Sequence, residues 1–231
     1  MLFTSPEEMR VPLQGSGWFM HQPLGLQDAL LERGRVARLA KGQWLHGEGD
    51  SAGGLWAVLS GSMRLEVAFG SDRTILLMIV GAGNVLGQSA IFGGGPYLST
   101  ARAHEETNLL LLSEAALKSV SAAHPVLWQS MNDLLYRQVG WLGQMLAEAL
   151  CLPPRARIAA RLLLLAEQWP PSDSLVNISQ TDLAEMTGLT RKTANLHLLA
   201  LQDAGVIRLS YRGIQLLDHE CLRTFVAEKS G

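Results

Sequence analysis

From Arg35 to about Leu112 the apolar positions come in short runs, each broken within ten residues or so by a glycine or a turn residue. The runs predict strands over Arg35–Leu39, Gln43–His46, Leu55–Ser60, Met63–Val67, Thr74–Val80, Ser99–Ala103 and Asn108–Leu112. Many short strands at that spacing imply a closed antiparallel sandwich or barrel. Ahead of them, residues 1–25 show no sustained period, and only Asp28–Glu32 suggests a short helix.

The texture changes at Ser113, a plausible N-cap for a short helix. Pro125 then opens a segment with no internal proline until Pro153-Pro154. That predicts a helix of roughly 26 residues, ~39 Å long at 1.5 Å per residue. The double proline ends it, because neither residue can donate the helical hydrogen bond, and Pro154 can open the next helix, which runs to about Gln168. Within the long helix, Met131, Gln138, Met145 and Leu152 form one seven-residue row, and Leu135, Leu142 and Ala149 the offset row. These are the a and d positions of a coiled-coil seam, so Met131, Leu135, Gln138, Leu142, Met145 and Ala149 are the expected interface with a second copy. The same helix carries Gly140 and Gly143, each costing ~1 kcal/mol relative to Ala. The chain divides into an N-terminal β-rich domain over 1–124, a connecting helix over 125–152 and a small domain over 153–231, an α+β chain overall.

The strongest local pattern is Ile178–Leu201, ISQTDLAEMTGLTRKTANLHLLAL. Ser179 caps a short helix, Gly188 turns the chain, and Thr190 caps a second helix to about Gln202. Leu183, Ala184, Met186, Leu189, Ala194 and Leu198 fall where two crossing helices must pack. This is a helix-turn-helix, whose second helix enters the DNA major groove. The segments Gly205–Ser210 and Ile214–Leu217 follow as a two-stranded wing around Tyr211-Arg212-Gly213. Thr190, Arg191, Lys192 and Asn195, with Leu196 beside them, point from the first turns toward bases: Arg suits guanine, Asn adenine, and Lys guanine or phosphate. Ser179, Gln180, Thr181 and Arg212 are placed to contact phosphate.

Composition narrows the alternatives. The 19 basic and 21 acidic residues leave a net charge of −2, and 48% of residues are hydrophobic. Up to residue 150 there are 10 basic and 13 acidic residues, and after it 9 and 8. DNA contact must therefore come from a few placed charges rather than a broad basic field. No run approaches the roughly 18 apolar residues of a membrane span, and Met1–Met20 lacks the pattern of a secretory signal, so the expected location is the cytoplasm. Two cysteines, Cys151 and Cys221, cannot form a disulfide framework or an all-Cys iron–sulfur cluster within one chain.

Over roughly residues 25–226 the chain resembles the Crp/Fnr superfamily of bacterial transcription regulators. The resemblance rests on Gly49-Asp50-Ser51 ahead of Leu55–Ser62, on Gly81–Gly87, Ala101-Arg102-Ala103, His124-Pro125, Arg157-Ile158-Ala159 and SQTDLAEMTGLTRKT. It implies a cyclic-nucleotide-binding-like β-roll (a jelly roll), a dimerising long helix and a winged helix-turn-helix. It also implies a homodimer on two-fold double-stranded DNA, with RNA polymerase as a further partner. The effector pocket it implies comprises Gly87, Gln88, Ser89, Tyr97, Leu98, Ser99, Leu142 and Gly143.

The departures bear on the ligand. Where cyclic-AMP-binding members carry Gly-Glu, this chain has Gly87-Gln88. Tyr97, or Leu98 with a one-residue gap, stands where they carry the phosphate-pairing Arg. Leu142-Gly143 replaces the polar pair that meets adenine. A phosphate buried without a cation is costly, so cyclic AMP in the usual mode is not expected and the effector is left open. On the DNA-reading helix, Lys192 replaces a Glu, and Asn195-Leu196 replaces Ser or Gly followed by Arg. His46, His104 and His124 are candidate haem or metal ligands without a recognisable spacing, so no metal site is assigned. A ligand-independent DNA binder and a metal-dependent β-barrel enzyme are the alternative readings; catalytic residues are not apparent.

Overall fold

The computed structural model describes residues 3–15, 17–71, 73–168, 175–211 and 213–227. They divide into two compact units, and the chain passes from the first to the second within a helix, between Val139 and Gly140.

The first unit opens with three helices, α1 (Pro6–Leu13), α2 (Gly17–Met20) and α3 (Leu24–Arg33). Regular structure therefore extends into residues 1–25, where no sustained period shows, and the short helix expected at Asp28–Glu32 is part of α3. Helix α1 has 8 residues, too few for a 3.6-residue repeat to stand out, and its ends define it instead. Ser5 Oγ accepts from the Glu8 amide at 3.3 Å, the Glu8 carboxylate accepts from the Ser5 amide at 3.3 Å, and Pro6 sits in the first turn. Tertiary burial does the rest: Met9, Leu13, Trp18, Phe19, Leu26, Leu30 and Leu31 join one core with residues far along the chain.

Those partners lie on a β-roll. Strands β1 (Arg35–Leu39), β2 (Trp44–His46), β3 (Gly54–Ser60), β4 (Met63–Phe69), β5 (Arg73–Val80) and β6 (Val85–Leu86) lead to a short helix α4 (Gln88–Gly93). Strands β7 (Thr100–Ala103) and β8 (Thr107–Ser113) complete two four-stranded antiparallel sheets, ordered β1-β8-β3-β6 and β2-β7-β4-β5. Strand alternation puts Leu55, Ala57 and Leu59 of β3 with Leu110 and Leu112 of β8 into the core shared with α1–α3. Trp56, Val58, Leu109 and Leu111 turn to the opposite face. On the second sheet the buried Glu66 carboxylate accepts from Arg64 Nε at 2.9 Å and Arg102 Nη2 at 2.8 Å. Burial pushes its pKa up, but Arg102 and Arg64 more than offset this and hold it below the usual carboxylate value.

Helix α5 (Glu114–Ala123) is capped by Ser113, which accepts from the Ala116 amide at 3.2 Å. Helix α6 (Val126–Cys151) begins directly after Pro125 and has the 26 residues its length predicts. Its first turns are held by the N-terminal helices and the roll. Trp18 Nε1 donates to the Ser130 carbonyl at 3.1 Å, Phe92 meets Trp128 edge-on at 5.0 Å, and Met131 is wholly buried in the shared core.

The second unit contains the rest of α6 with α7 (Pro154–Gln168), β9 (Leu175–Val176), α8 (Gln180–Thr187) and α9 (Arg191–Asp203). Strands β10 (Ile207–Ser210) and β11 (Gly213–Leu216) and helix α10 (His219–Ala227) complete it. The wing has a third strand, in the order β10-β11-β9. Ile158, Ala159, Leu162 and Leu165 make α7 the buried spine of the unit. Arg157 ties it together, donating to the Thr187 carbonyl and to the Leu152 carbonyl, both at 3.1 Å. Arg155 lies 3.9 Å over the Phe225 ring of α10. Glu148 of α6 and Arg161 of α7 are both buried, 3.7 Å apart. Among the described residues, no helix is long and apolar enough to cross a membrane.

Candidate nucleic-acid interface and effector pocket

The reading helix is positioned by local sequence at three points. Ser179 and Asp182 form a reciprocal cap on α8, with the Asp182 amide donating to Ser179 Oγ and the Ser179 amide to the Asp182 carboxylate, both at 3.1 Å. Gly188 then takes a left-handed conformation, φ 66°, which lets the Leu189 amide reach back to the Ala184 carbonyl at 2.9 Å. Thr190 caps α9, accepting from the Thr193 amide at 3.1 Å. Between the two helices, Leu183, Ala184 and Met186 of α8 and Ala194, Leu198 and Leu201 of α9 are buried.

Burying that stripe turns the opposite side of α9 outward. Thr190, Arg191 and Lys192 are exposed, Asn195 is half-exposed, and Leu196 and Leu199 complete the outward row. The first turn of α9 carries no acid. Arg191 and Lys192 therefore sit at the positive end of the helix dipole, an unfavourable place for cations unless an anion approaches. Ser179 and Thr181 are exposed beside the start of α8, and Gln180 is half-exposed. Arg212 lies outside the described residues. Tyr211, absent from the expected contacts, stands fully exposed before the wing turn, where its hydroxyl can meet phosphate. Its position next to Arg212-Gly213 was the available signal.

The pocket residues fall in two places. Gly87 to Ser89 and Tyr97 to Ser99 belong to the first unit, while Leu142 and Gly143 belong to the second. Gly87 caps α4 at φ 88°, and a Cβ there would stand 2.6 Å from the Gly54 carbonyl oxygen, so only glycine fits. Gln88 is buried; its Nε2 donates to Gln138 Oε1 at 3.0 Å, and its own Oε1 has no partner among the described residues. Ser89 and Ser99 are half-buried and Leu98 is exposed.

Tyr97 is buried with all its polar groups engaged. Its ring lies parallel to His46, 3.7 Å between centroids and 8° between planes. Its hydroxyl accepts from the Gly53 amide at 2.9 Å and donates to the Gly54 carbonyl at 3.3 Å. Its amide donates to the Asp50 carbonyl at 3.0 Å, and its carbonyl accepts from the Gly49 amide at 2.9 Å. Burial lowers the pKa of His46, against opposing contributions from the Ser99 and Gly47 backbone and Asp50, which favours a neutral imidazole beneath the phenol ring. Among the described residues no group of three or more metal-ligating side chains occurs, and His46, His104 and His124 are not gathered into one.

On α6 the expected interface residues differ in position. Met131 is wholly buried at home, Gln138 is bonded to Gln88, Leu135 and Met145 are half-buried, and Leu142 and Ala149 are exposed. Val139, Leu146 and Leu150, which were not assigned to the seam, are exposed.

Comparison with known proteins agrees with this layout. Residues 36–124 match the cyclic nucleotide-binding domain model, and residues 156–225 match the Crp-like helix-turn-helix model. The cyclic AMP receptor protein of Thermus thermophilus is 30% identical over 164 residues, covering 70% of this chain and 74% of that protein. The CRP-like cAMP-activated global transcriptional regulator of Mycobacterium tuberculosis is 25% identical over 199 residues, 84% of this chain and 89% of its own. The solved structure of FixK2 from Bradyrhizobium japonicum superposes with a TM-score of 0.76 at 18% identity, over 85% of this chain and 99% of that one. The Mycobacterium tuberculosis relative is, by its name, a transcriptional regulator. The chain belongs to the Crp/Fnr family of DNA-binding transcription regulators.

Proposed function

We propose that the protein acts as a homodimer on a two-fold DNA site in the cytoplasm, and that its β-roll does not hold cyclic AMP in the usual mode. The carrying observation is Tyr97. A phenol, stacked on His46 and hydrogen-bonded to Gly53 and Gly54, stands where the family resemblance implies a phosphate-pairing Arg; with a one-residue gap that position falls on Leu98, and neither side chain is a cation. A cyclic phosphate brought there would lose water and gain no cation. Gln88 Oε1, buried without a partner, favours a sensor for a donor-bearing ligand over a purely structural roll.

Dimerisation is supported by the outward side of α6. Leu135, Val139, Leu142, Leu146 and Leu150 lie within about 80° of the circumference at 3.6 residues per turn. Val139, Leu146 and Leu150 are each more than 60% exposed. An apolar strip of this kind fits a second copy of the same helix, shifted around the helix from the Met131–Gln138 row. RNA polymerase remains the further partner implied by the family.

Calorimetric titration with cyclic AMP and cyclic GMP tests the effector reading: no saturable heat at micromolar ligand is expected, and low-micromolar binding overturns it. Sedimentation of Val139→Asp with Leu146→Asp tests the dimer: a monomer is expected, and an unchanged mass places the interface elsewhere.

A further inference from the structure

We propose that Leu196 reads the 5-methyl group of a thymine in each operator half-site. The inference rests on α9 being the DNA-reading helix, and it specifies one of the base pairs that helix selects.

Leu196 is 64% exposed and Leu199 42%, on a helix whose Ala194, Leu198 and Leu201 are buried. Helical spacing puts it on the outward row with Lys192, Asn195 and Leu199. It lies four residues beyond Lys192, or ~6 Å along the axis. That is close to two base-pair steps of ~3.4 Å. Leucine has no donor. Pressed against guanine or against the cytosine amino group, it would strip water from a polar edge and leave that edge unpaired. Of the four bases, only thymine presents a methyl group at the major-groove surface. The chemistry of position 196 therefore selects an A·T pair oriented with its thymine toward the leucine.

The test uses the full-length protein and the duplex recovered by selection from random DNA. Each thymine of the half-site is replaced in turn by deoxyuridine, which removes one methyl and leaves the pairing edge intact. Wild type should lose about fourfold in affinity at one position per half-site, the worth of one buried methyl, and about 15-fold when both half-sites are changed. Leu196→Ala should bind the parent duplex more weakly and lose all discrimination at that position, while other positions keep their preferences. Leu196→Met, which keeps an apolar reach, should retain part of it. Arg191→Ala and Lys192→Ala on the same duplexes separate the two ideas. If they weaken binding while no thymine shows a Leu196-dependent response, the thymine assignment is overturned and the reading helix stands. If none of the α9 variants alters binding, the reading helix itself is wrong.

Discussion

The pair Glu148–Arg161 offers the sharpest energetic test of the second unit. Both side chains are only 5% exposed, and Arg161 Nη2 stands 3.7 Å from Glu148 Oε2. At that distance an effective dielectric of about 20 gives an attraction of roughly 4.5 kcal/mol. The cost of taking the two ions from water is several kcal/mol each. The attraction therefore does not recover the desolvation. The direction of the Glu148 pKa agrees: burial raises it, although Arg161 and a 2.9 Å hydrogen bond from Gln144 pull the other way. The Arg161 pKa is lowered, again chiefly by burial.

Two consequences follow that simple contact counting would not give. Removing either partner alone leaves a buried charge, so Glu148→Met and Arg161→Leu should each cost about 3–5 kcal/mol at pH 7. Removing both should restore wild-type stability to within about 1 kcal/mol, or exceed it by about 1–4 kcal/mol. The two single variants should also differ in pH response. A carboxyl whose folded pKa is raised adds stability below its unfolded pKa, near 4.5, that is lost as pH climbs through the raised value. Without Arg161 the raised value climbs further, so the penalty of Arg161→Leu should shrink as pH falls from 7 to 5. Arginine cannot shed its proton, so the penalty of Glu148→Met should hardly change. Hydrogen exchange at the buried α7 amides, Ile158 to Leu165, isolates this unit where a bulk melt would mix two transitions. Single losses below about 1 kcal/mol with an additive double variant would refute the reasoning, as would an Arg161→Leu loss that ignores pH.

Three further outcomes are expected. Arg191→Ala should cost ~1–3 kcal/mol on the selected duplex and relax preference at one base pair per half-site, read by binding to single-base variants. Glu66→Gln should flatten the acid limb of first-unit stability, because a carboxylate held below its ordinary pKa stabilises above its unfolded value and loses that stability as pH falls through the folded one; pH-dependent exchange at β4 and β7 amides reports it. Gly143→Ala meets open space at its Cβ, so it should stabilise α6 by ~1 kcal/mol in a monomeric background, while a fall in dimer affinity would place a partner backbone against that face.

The elements readable in the sequence were those set by local chemistry. Ser113, Ser179 and Thr190 cap the helices they were expected to cap, Gly188 turns the chain, and Pro125 and Pro153 bracket a helix of the predicted length. The elements missed are those made by distant partners. The strands β6 and β9 have two residues each and exist because β3 and β11 lie beside them. The helices before Arg35 owe their burial to strands and helices up to about 120 residues further along; Asp28–Glu32 marks part of α3, while α1 and α2 have only the Ser5–Glu8 cap to announce them.

The same division explains the long helix. A heptad row records which positions are apolar, not which of two neighbours covers them. Met131 and Leu135 satisfy the repeat equally well, yet the first is wholly buried in the first unit's core and the second is not. Once the roll and the N-terminal helices have taken Leu127 and Met131, the remaining apolar side rotates toward Val139, Leu146 and Leu150. A frame chosen by period alone was bound to sit between the two sides. It could only be split by knowing what α1–α3 cover, and of those helices only α3 shows in the pattern, through Asp28–Glu32.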